Sequence, residues 1–161
     1  MEPDRLIVEN SLELLGRRLR MLGFDVESAG AVRLEPLLAQ ARERRRIALT
    51  PSARRPRRWA GVRVLTVPLA DPAAAVRIVA AECVPAGAPF TRCPRCNVPL
   101  ESRPAPDARD QAPDDVVSRG QPLWHCAACG RWFWEGSHTG KLRAWLAAAL
   151  GGATPGPAPR P

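Results

Sequence analysis

Residues 5–27, RLIVENSLELLGRRLRMLGFDVE, decide the fold class of this chain. The apolar residues 5–8 predict a short strand. Four leucines then recur at three- and four-residue spacing, which is typical of a helix with one apolar face: Leu12, Leu15, Leu19 and Leu22. Asn10 and Ser11 are expected to cap the start of this helix, Gly23 to end it, and residues 24–27 to form a second strand.

The same alternation continues beyond this stretch. A third strand is predicted at residues 47–50 and a fourth at 62–67, and Asp71 followed by Pro72 is a helix-start signal. The apolar positions of two further helices are Leu34, Leu37, Leu38 and Ala41, then Val76, Val79, Ala80 and Cys83. Strands that alternate with helices predict an α/β domain with a parallel sheet covered on both faces, which we place at residues 1–88.

The chain is strongly basic. Its 161 residues include 24 Lys and Arg against 16 Asp and Glu, a net charge of +8, and residues 42–58 hold eight arginines and one acid. Such a block attracts polyanions, although an arginine-rich composition also arises without selection for binding. The arginines that we predict to contact nucleic acid are Arg17, Arg20, Arg44, Arg45, Arg46, Arg54 and Arg55.

The sequence predicts no membrane association. No segment approaches the ~20 apolar residues that a bilayer-spanning helix needs, and the N-terminal residues lack the apolar run of a signal peptide. We therefore expect a cytoplasmic protein. In that reducing compartment, paired cysteines indicate metal or redox chemistry before they indicate disulfides.

Two C-x-x-C pairs predict a zinc site. Cys93-Pro-Arg-Cys96 and Cys126-Ala-Ala-Cys129 are separated by 29 residues, and each pair is followed by a turn-forming residue. Two residues between thiolates allow a tight turn to aim both sulfurs at one ion, and four thiolates leave no open position, so the zinc is expected to be structural. The alternatives are redox disulfides, unbonded core thiols, or His125 in place of one cysteine.

The remaining C-terminal half is predicted from composition and spacing. We expect a zinc ribbon with a C-terminal helix at residues 89–150, an exposed loop at 101–121 and a disordered tail at 151–161. The aromatic residues 132–134 form either the core of the ribbon or a surface that stacks on bases, and we favour the core. The apolar stripe of the last helix, expected to pack against the α/β domain, is Leu142, Trp145, Leu146 and Leu150.

Several motifs, in order along residues 5–146, resemble the mutator-seven C-terminal ribonuclease family. They are the run Leu6-Ile-Val-Glu9-Asn-Ser-Leu12 continuing through Leu15-Gly-Arg-Arg-Leu19 to Val26, the strand Arg46-Ile-Ala-Leu-Thr50, the two cysteine pairs with Asn97 and Gly130-Arg131, and Trp134-Glu-Gly136-Ser137-His138. The resemblance implies a PIN-like α/β nuclease domain with a C-terminal zinc ribbon, and RNA as its substrate.

The resemblance also implies acidic side chains at the carboxyl ends of the strands, where Mg²⁺ or Mn²⁺ would be held. This chain departs from that pattern. Glu9 stands where an Asp is expected and Glu35 is the candidate for a second carboxylate, with Asp25 a further one, but Ser52 stands near the expected third acid and carries no charge. Three hypotheses follow: a metal-dependent ribonuclease with a reduced acidic site, an inactive relative that binds RNA or a protein partner, and a zinc ribbon and basic block that act alone.

Overall fold

The computed structural model describes residues 2–152 of the chain, without the side chains of Ser137 and His138. The predicted disordered tail therefore lies outside the described residues, apart from its first two glycines, Gly151 and Gly152. Both glycines have positive φ angles, of 76° and 93°, and follow the last helix as a turn.

Four parallel strands form the main sheet, in the order β2-β1-β3-β4. The strands are β1 (Arg5–Val8), β2 (Asp25–Ser28), β3 (Ile47–Thr50) and β4 (Val64–Thr66). The helices that connect or follow them are α1 (Glu13–Met21), α2 (Leu34–Glu43) and α3 (Pro72–Glu82). The predicted α/β class with a parallel sheet is confirmed, with the predicted β2 starting one residue too early and the predicted β4 too long at both ends.

Both faces of the sheet are covered, as predicted. Because side chains alternate along a strand, Leu6 and Val8 of β1 face a core built with α1 and α3, whereas Ile7 faces α2. All three side chains are fully buried. The sheet therefore forms the middle of three layers, and the loops lie at the two ends of its strands.

The two predicted helix starts have different outcomes. Asp71 caps α3 as expected, since its carboxylate accepts a hydrogen bond from the Ala74 N–H at 2.9 Å. The predicted cap of α1 is wrong: a 3₁₀ turn (Asn10–Leu12) precedes the helix, and its N-cap residue is Leu12, which makes no side-chain capping bond. The end of α1 is as predicted, because Gly23 adopts a φ of 90° and a Cβ there would meet the Gly87 carbonyl oxygen at 2.1 Å.

A second, antiparallel sheet of three short strands follows, made of β5 (Glu101–Arg103), β6 (Leu123–His125) and β7 (Trp132–Phe133). The predicted exposed loop at 101–121 is wrong. This segment contains β5, a 3₁₀ turn (Ala105–Ala108) and the short helix α4 (Asp114–Ser118). A satellite core holds it in place, formed by Ala105, Ala108, Ala112, Val116 and Leu123, with Trp132 and Trp134 packed against it.

The last helix, α5 (Ser137–Ala149), packs on the face of the main sheet that α1 and α3 cover. Leu146 is fully buried in the core formed by the sheet, α1 and α3, and the other three residues of the predicted stripe pack against that core. The expected packing of this helix is confirmed. Among residues 2–152, none of the helices combines the length and the apolar character needed to cross a membrane.

Candidate zinc centre and the carboxyl edge of the sheet

The two C-x-x-C turns have the same backbone geometry. In the first, the Asn97 N–H donates to the Cys93 carbonyl at 3.0 Å, and in the second the Gly130 N–H donates to the Cys126 carbonyl at 2.8 Å. Asn97 and Gly130 occupy the left-handed region, with φ angles of 64° and 69°. This region favours asparagine and glycine, which is why these residue types follow the two pairs.

The turns bring the four predicted thiols together. The Sγ atoms of Cys93, Cys96, Cys126 and Cys129 all lie within 4.8 Å of one another, and none is in a disulfide. Sulfurs around a tetrahedral zinc at Zn–S of about 2.3 Å are about 3.8 Å apart, so the donor set and its spacing fit zinc. His125 does not join the group, since its ring lies against Trp132 with centroids 4.7 Å apart.

The thiols have unequal affinities for protons. Burial, with the neighbouring thiols, raises the pKa of Cys96 to about 12. Burial also acts to raise the pKa of Cys129, but the backbone of Arg131 and the other three thiols outweigh it and lower that pKa to about 7. Because a thiol binds metal as the thiolate, a metal ion that binds here would displace the protons of the cluster.

The first cysteine turn docks on the edge strand of the main sheet through Asn97. Its side-chain oxygen accepts the Val26 N–H at 2.9 Å, and its Nδ2 donates to an Asp25 carboxylate oxygen at 2.7 Å. Because β2 has a neighbour on one side only, this N–H has no partner within the sheet. The zinc ribbon therefore completes the hydrogen bonding of the α/β sheet at this edge.

Arg46 is part of the same junction and not of a nucleic-acid surface. Its guanidinium is buried, donates to Asp25 at 2.8 Å and to the Leu6 carbonyl at 3.2 Å, and is also paired with Glu27. The prediction that Arg46 contacts nucleic acid is thus corrected. Burial tends to raise the pKa of Asp25, but hydrogen bonds from Arg46 and Asn97 outweigh it and hold that pKa below its ordinary value of 3.8.

Arg20 was also predicted to contact nucleic acid and is instead 2% exposed. It donates to the carbonyls of Val26 and Pro94 at 2.8 Å and to the Glu13 carboxylate at 3.0 Å. A fourth bond, at 2.8 Å, reaches the hydroxyl of Ser28. Because four acceptors compensate the buried guanidinium, Arg20 is a structural link between α1, β2 and the first cysteine turn.

Glu9 lies at the carboxyl ends of the strands, between hydroxyl groups. Glu9 directly follows β1, accepts a hydrogen bond from the Ser11 hydroxyl at 2.6 Å, and has the Thr50 hydroxyl at 3.4 Å from its other oxygen. The same Thr50 oxygen accepts the Ser52 N–H at 3.1 Å. Thr50 was not predicted as part of the site, although its place at the end of a buried strand was a usable signal.

Arg55 lies at the same edge, close to the position where a third acid was expected. Its guanidinium donates to the Thr66 hydroxyl at the end of β4 and to the carbonyls of Ser52 and Arg54, both at 2.9 Å. Thr66 is directly opposite Thr50 in the sheet register. The carboxyl ends of β3 and β4 thus carry a guanidinium and two hydroxyl groups, and the Thr50 hydroxyl also contacts Glu9.

Glu9, Glu35 and Asp25 do not form a cluster. Glu35, in the first turn of α2, is ion-paired with Arg58. Asp25 begins β2 and so lies at the amino ends of the strands, whereas Glu9 lies at their carboxyl ends. Apart from the four cysteines, residues 2–152 hold no group of three or more His, Cys, Asp or Glu side chains close enough to share an ion. The suggestion that Asp25 joins the site is therefore corrected, and Glu9 is the carboxylate placed directly at the end of a central strand.

Four of the other predicted arginines lie at the two ends of strand β3. Arg44 and Arg45 precede β3 and so lie at its amino end, whereas Arg54 and Arg55 follow its carboxyl end. All four are exposed. Arg17 is exposed on α1, with Glu13 at 3.7 Å. Arg44 and Arg45 therefore lie at the opposite end of β3 from Arg54 and Arg55, which share the carboxyl end of the strands with Glu9.

These residues do not form a preorganised protein site for Mg²⁺ or Mn²⁺. Such ions take oxygen ligands in near-octahedral geometry, commonly from one or two carboxylates together with substrate phosphates. Glu9 offers one carboxylate, and Arg55 places positive charge at the same edge. The residues fit an ion that takes its other ligands from a bound phosphate and water, and they do not fit an ion held by the protein alone.

Residues 4–146 match the family model of the Mut7-C RNAse domain. The match covers nearly the whole chain and includes both the parallel sheet and the four cysteines. This family is PIN-like, which agrees with the predicted fold class. No curated protein and no solved structure matches the chain significantly.

Proposed function

The chain belongs to the Mut7-C RNAse domain family, and we propose that it acts on RNA as a ribonuclease whose acidic site is reduced to Glu9. The observation that carries this proposal is the position of Glu9, a carboxylate directly after the central strand β1 in a domain of a ribonuclease family. The carboxyl ends of parallel strands are where α/β folds place their ligands.

Glu9 would hold a divalent ion together with the phosphates of the bound RNA. Such an ion supplies an activated water and stabilises the charge that develops on the phosphodiester oxygens. The residues of this chain position the carboxylate: the Ser11 and Thr50 hydroxyls lie on different oxygens of Glu9 and fix its orientation.

Arginines at the carboxyl edge would hold the RNA backbone. Arg54 and Arg55 are exposed, and the guanidinium of Arg55 is held in place by three acceptors. Guanidinium groups bind phosphates through paired N–H donors. We further propose that residues 1–88 form the RNA-acting domain and residues 89–150 a zinc ribbon that stabilises it, in a protein of the cytoplasm.

A second candidate function is RNA binding without cleavage. It is favoured by a specific observation: residues 2–152 bring no three acidic side chains together, and Arg55 lies close to where another acid was expected. A site in which few carboxylates converge and a guanidinium lies at the same end of the strands attracts phosphate more readily than it attracts Mg²⁺.

The two functions are separated by a cleavage assay on end-labelled single-stranded RNA with Mg²⁺ or Mn²⁺. The zinc-loaded protein is compared with Glu9→Ala and with the matched control Glu35→Ala, which removes an exposed carboxylate ion-paired with Arg58. We expect cleavage by the wild type and by Glu35→Ala, and its loss in Glu9→Ala.

Equal cleavage by all three proteins would show that Glu9 is not the catalytic carboxylate. Binding of the RNA without any cleavage would favour the second candidate function. A protein that neither binds nor cleaves RNA would contradict both, since both depend on contacts with the phosphate backbone.

A further inference from the structure

An aromatic cavity lies between the ribbon, the segment that leads into the first cysteine turn, and helix α5. Its volume is about 190 Å³. Three aromatic side chains of the ribbon form one wall, Trp124, Phe133 and Trp134, and Phe90 and Leu142 lie among the residues opposite. The cavity is apart from the carboxyl edge that carries Glu9 and is not used by the proposed reaction.

The pairing of the ribbon strands explains why these aromatics meet. Trp124 of β6 is directly opposite Phe133 of β7, so their side chains lie on the same face of the small sheet. His125 and Trp132 are paired on the other face, where Trp132 packs against the satellite core. Trp124 and Phe133 belong to no buried core cluster of the described residues and are only half-buried, so part of their ring surface is open to a ligand.

Two arginines line this cavity. The guanidinium of Arg143 lies over the ring of Phe90 at 4.8 Å and donates to the Glu135 carboxylate at 2.7 Å. The guanidinium of Arg92 donates to the Asn97 carbonyl oxygen. Each guanidinium has five N–H donors, so both keep donors for a further acceptor after these contacts.

We propose that this cavity binds one unstacked base of single-stranded RNA, with Arg92 and Arg143 contacting the phosphates on either side. This rests on the proposed function, because it assumes that RNA is the ligand of the chain. A cavity below the ~300 Å³ of a drug-sized site suits a single flat ring system, and aromatic faces stack on any base. The two arginines of the lining, against the one carboxylate of Glu135, and the net charge of +8 favour a polyanion over an apolar peptide.

The test compares two oligonucleotides of equal length, one of ordinary single-stranded RNA and one in which every base is absent. Their affinities are measured by fluorescence anisotropy with the zinc-loaded protein, in a buffer without Mg²⁺ or Mn²⁺ so that the RNA is not cleaved. Stacking of one base strengthens binding by about 5- to 150-fold, so the wild type should prefer the base-bearing strand by that factor.

The substitution Trp124→Leu keeps apolar volume and removes the stacking face. It should lower the affinity for the base-bearing strand by about 5-fold or more and leave the affinity for the abasic strand unchanged. Trp124→Phe should restore part of the preference, and Trp145→Leu, a tryptophan of α5 that packs against the main core and does not line this cavity, is the matched control.

A wild type that binds both strands equally well would overturn the base pocket and leave the proposed RNA function standing. A wild type that binds neither strand would overturn both.

As a measurement that needs no variant, an RNA carrying 4-thiouridine is photo-crosslinked to the wild type. Crosslinks should map to the peptides containing Trp124, Phe133 or Trp134, and crosslinks confined to other peptides would overturn the pocket.

Discussion

Asn97 is expected to be a large contributor to stability although it is not a zinc ligand. We predict that Asn97→Gly destabilises the zinc-loaded protein by about 2–4 kcal/mol. Glycine adopts a φ of 64° without strain, so the substitution leaves the backbone of the cysteine turn unperturbed. What is lost is the side chain that joins the turn to the sheet.

The magnitude follows from the two hydrogen bonds of this side chain. Val26 is fully buried, and an N–H left there without an acceptor costs about 1–3 kcal/mol. The bond to Asp25 adds about 1 kcal/mol, since that carboxylate keeps Arg46 as a partner. For a chain of this length the expected fall in Tm is about 2–4 °C for each kcal/mol.

Urea unfolding of the zinc-loaded proteins, followed by circular dichroism, measures this loss. Gly130→Asn is the control, because it places asparagine at the equivalent position of the second turn, where the φ is 69° and a Cβ meets open space. It should change stability by less than about 1 kcal/mol, as surface substitutions do. If Asn97→Gly behaves like the control while zinc content is unchanged, the docking contact does not stabilise the fold as argued.

Three further predictions concern zinc, pH and RNA. Cys93→Ser should abolish stoichiometric zinc and lower Tm, measured by elemental analysis and calorimetry; full zinc retention would contradict a four-thiolate site. Because the pKa of Asp25 is lowered on folding, its charge stabilises the protein above 3.8 and that stability is lost as pH falls through the folded pKa. The stability difference between wild type and Asp25→Asn should therefore shrink on acidification, and a difference independent of pH would refute this. Arg55→Ala should weaken RNA binding and reduce its salt dependence by about 0.7 in the log–log slope for each lost phosphate contact, whereas Arg45→Ala at the opposite edge should not.

The sequence predicted the elements of the α/β domain because each is marked by local signals. Leucine spacing marks α1, and Asp71 marks the start of α3 through a cap that needs only neighbouring residues. The segment at 101–121 has no such signal, since its core is made of alanines between prolines and acids. Small apolar residues produce little periodicity, and the satellite core that they form depends on Trp132 and Trp134, which are distant in sequence.

The zinc ligands were also predictable from a local signal, because two residues between cysteines allow a tight turn that directs both thiols toward one ion. The burial of Arg20 and Arg46 was not, because arginine in a helical or loop pattern is ordinarily solvated. What makes burial possible is a set of acceptors from other elements, such as the Pro94 carbonyl, 74 residues from Arg20. Partners that only the tertiary fold brings together cannot be read from spacing.

The junction between ribbon and sheet assigns different roles to chemically similar residues. Arg20 and Arg46 are buried and bonded to carbonyls and carboxylates of the fold, so a phosphate cannot reach them. Four cysteines around one zinc ion would leave no position for an activated water, so zinc loss should impair RNA binding through unfolding of the protein and not through loss of a catalytic group. We therefore propose that RNA contacts groups that remain accessible in the fold, namely Arg54 and Arg55 and the half-buried aromatic side chains of the ribbon.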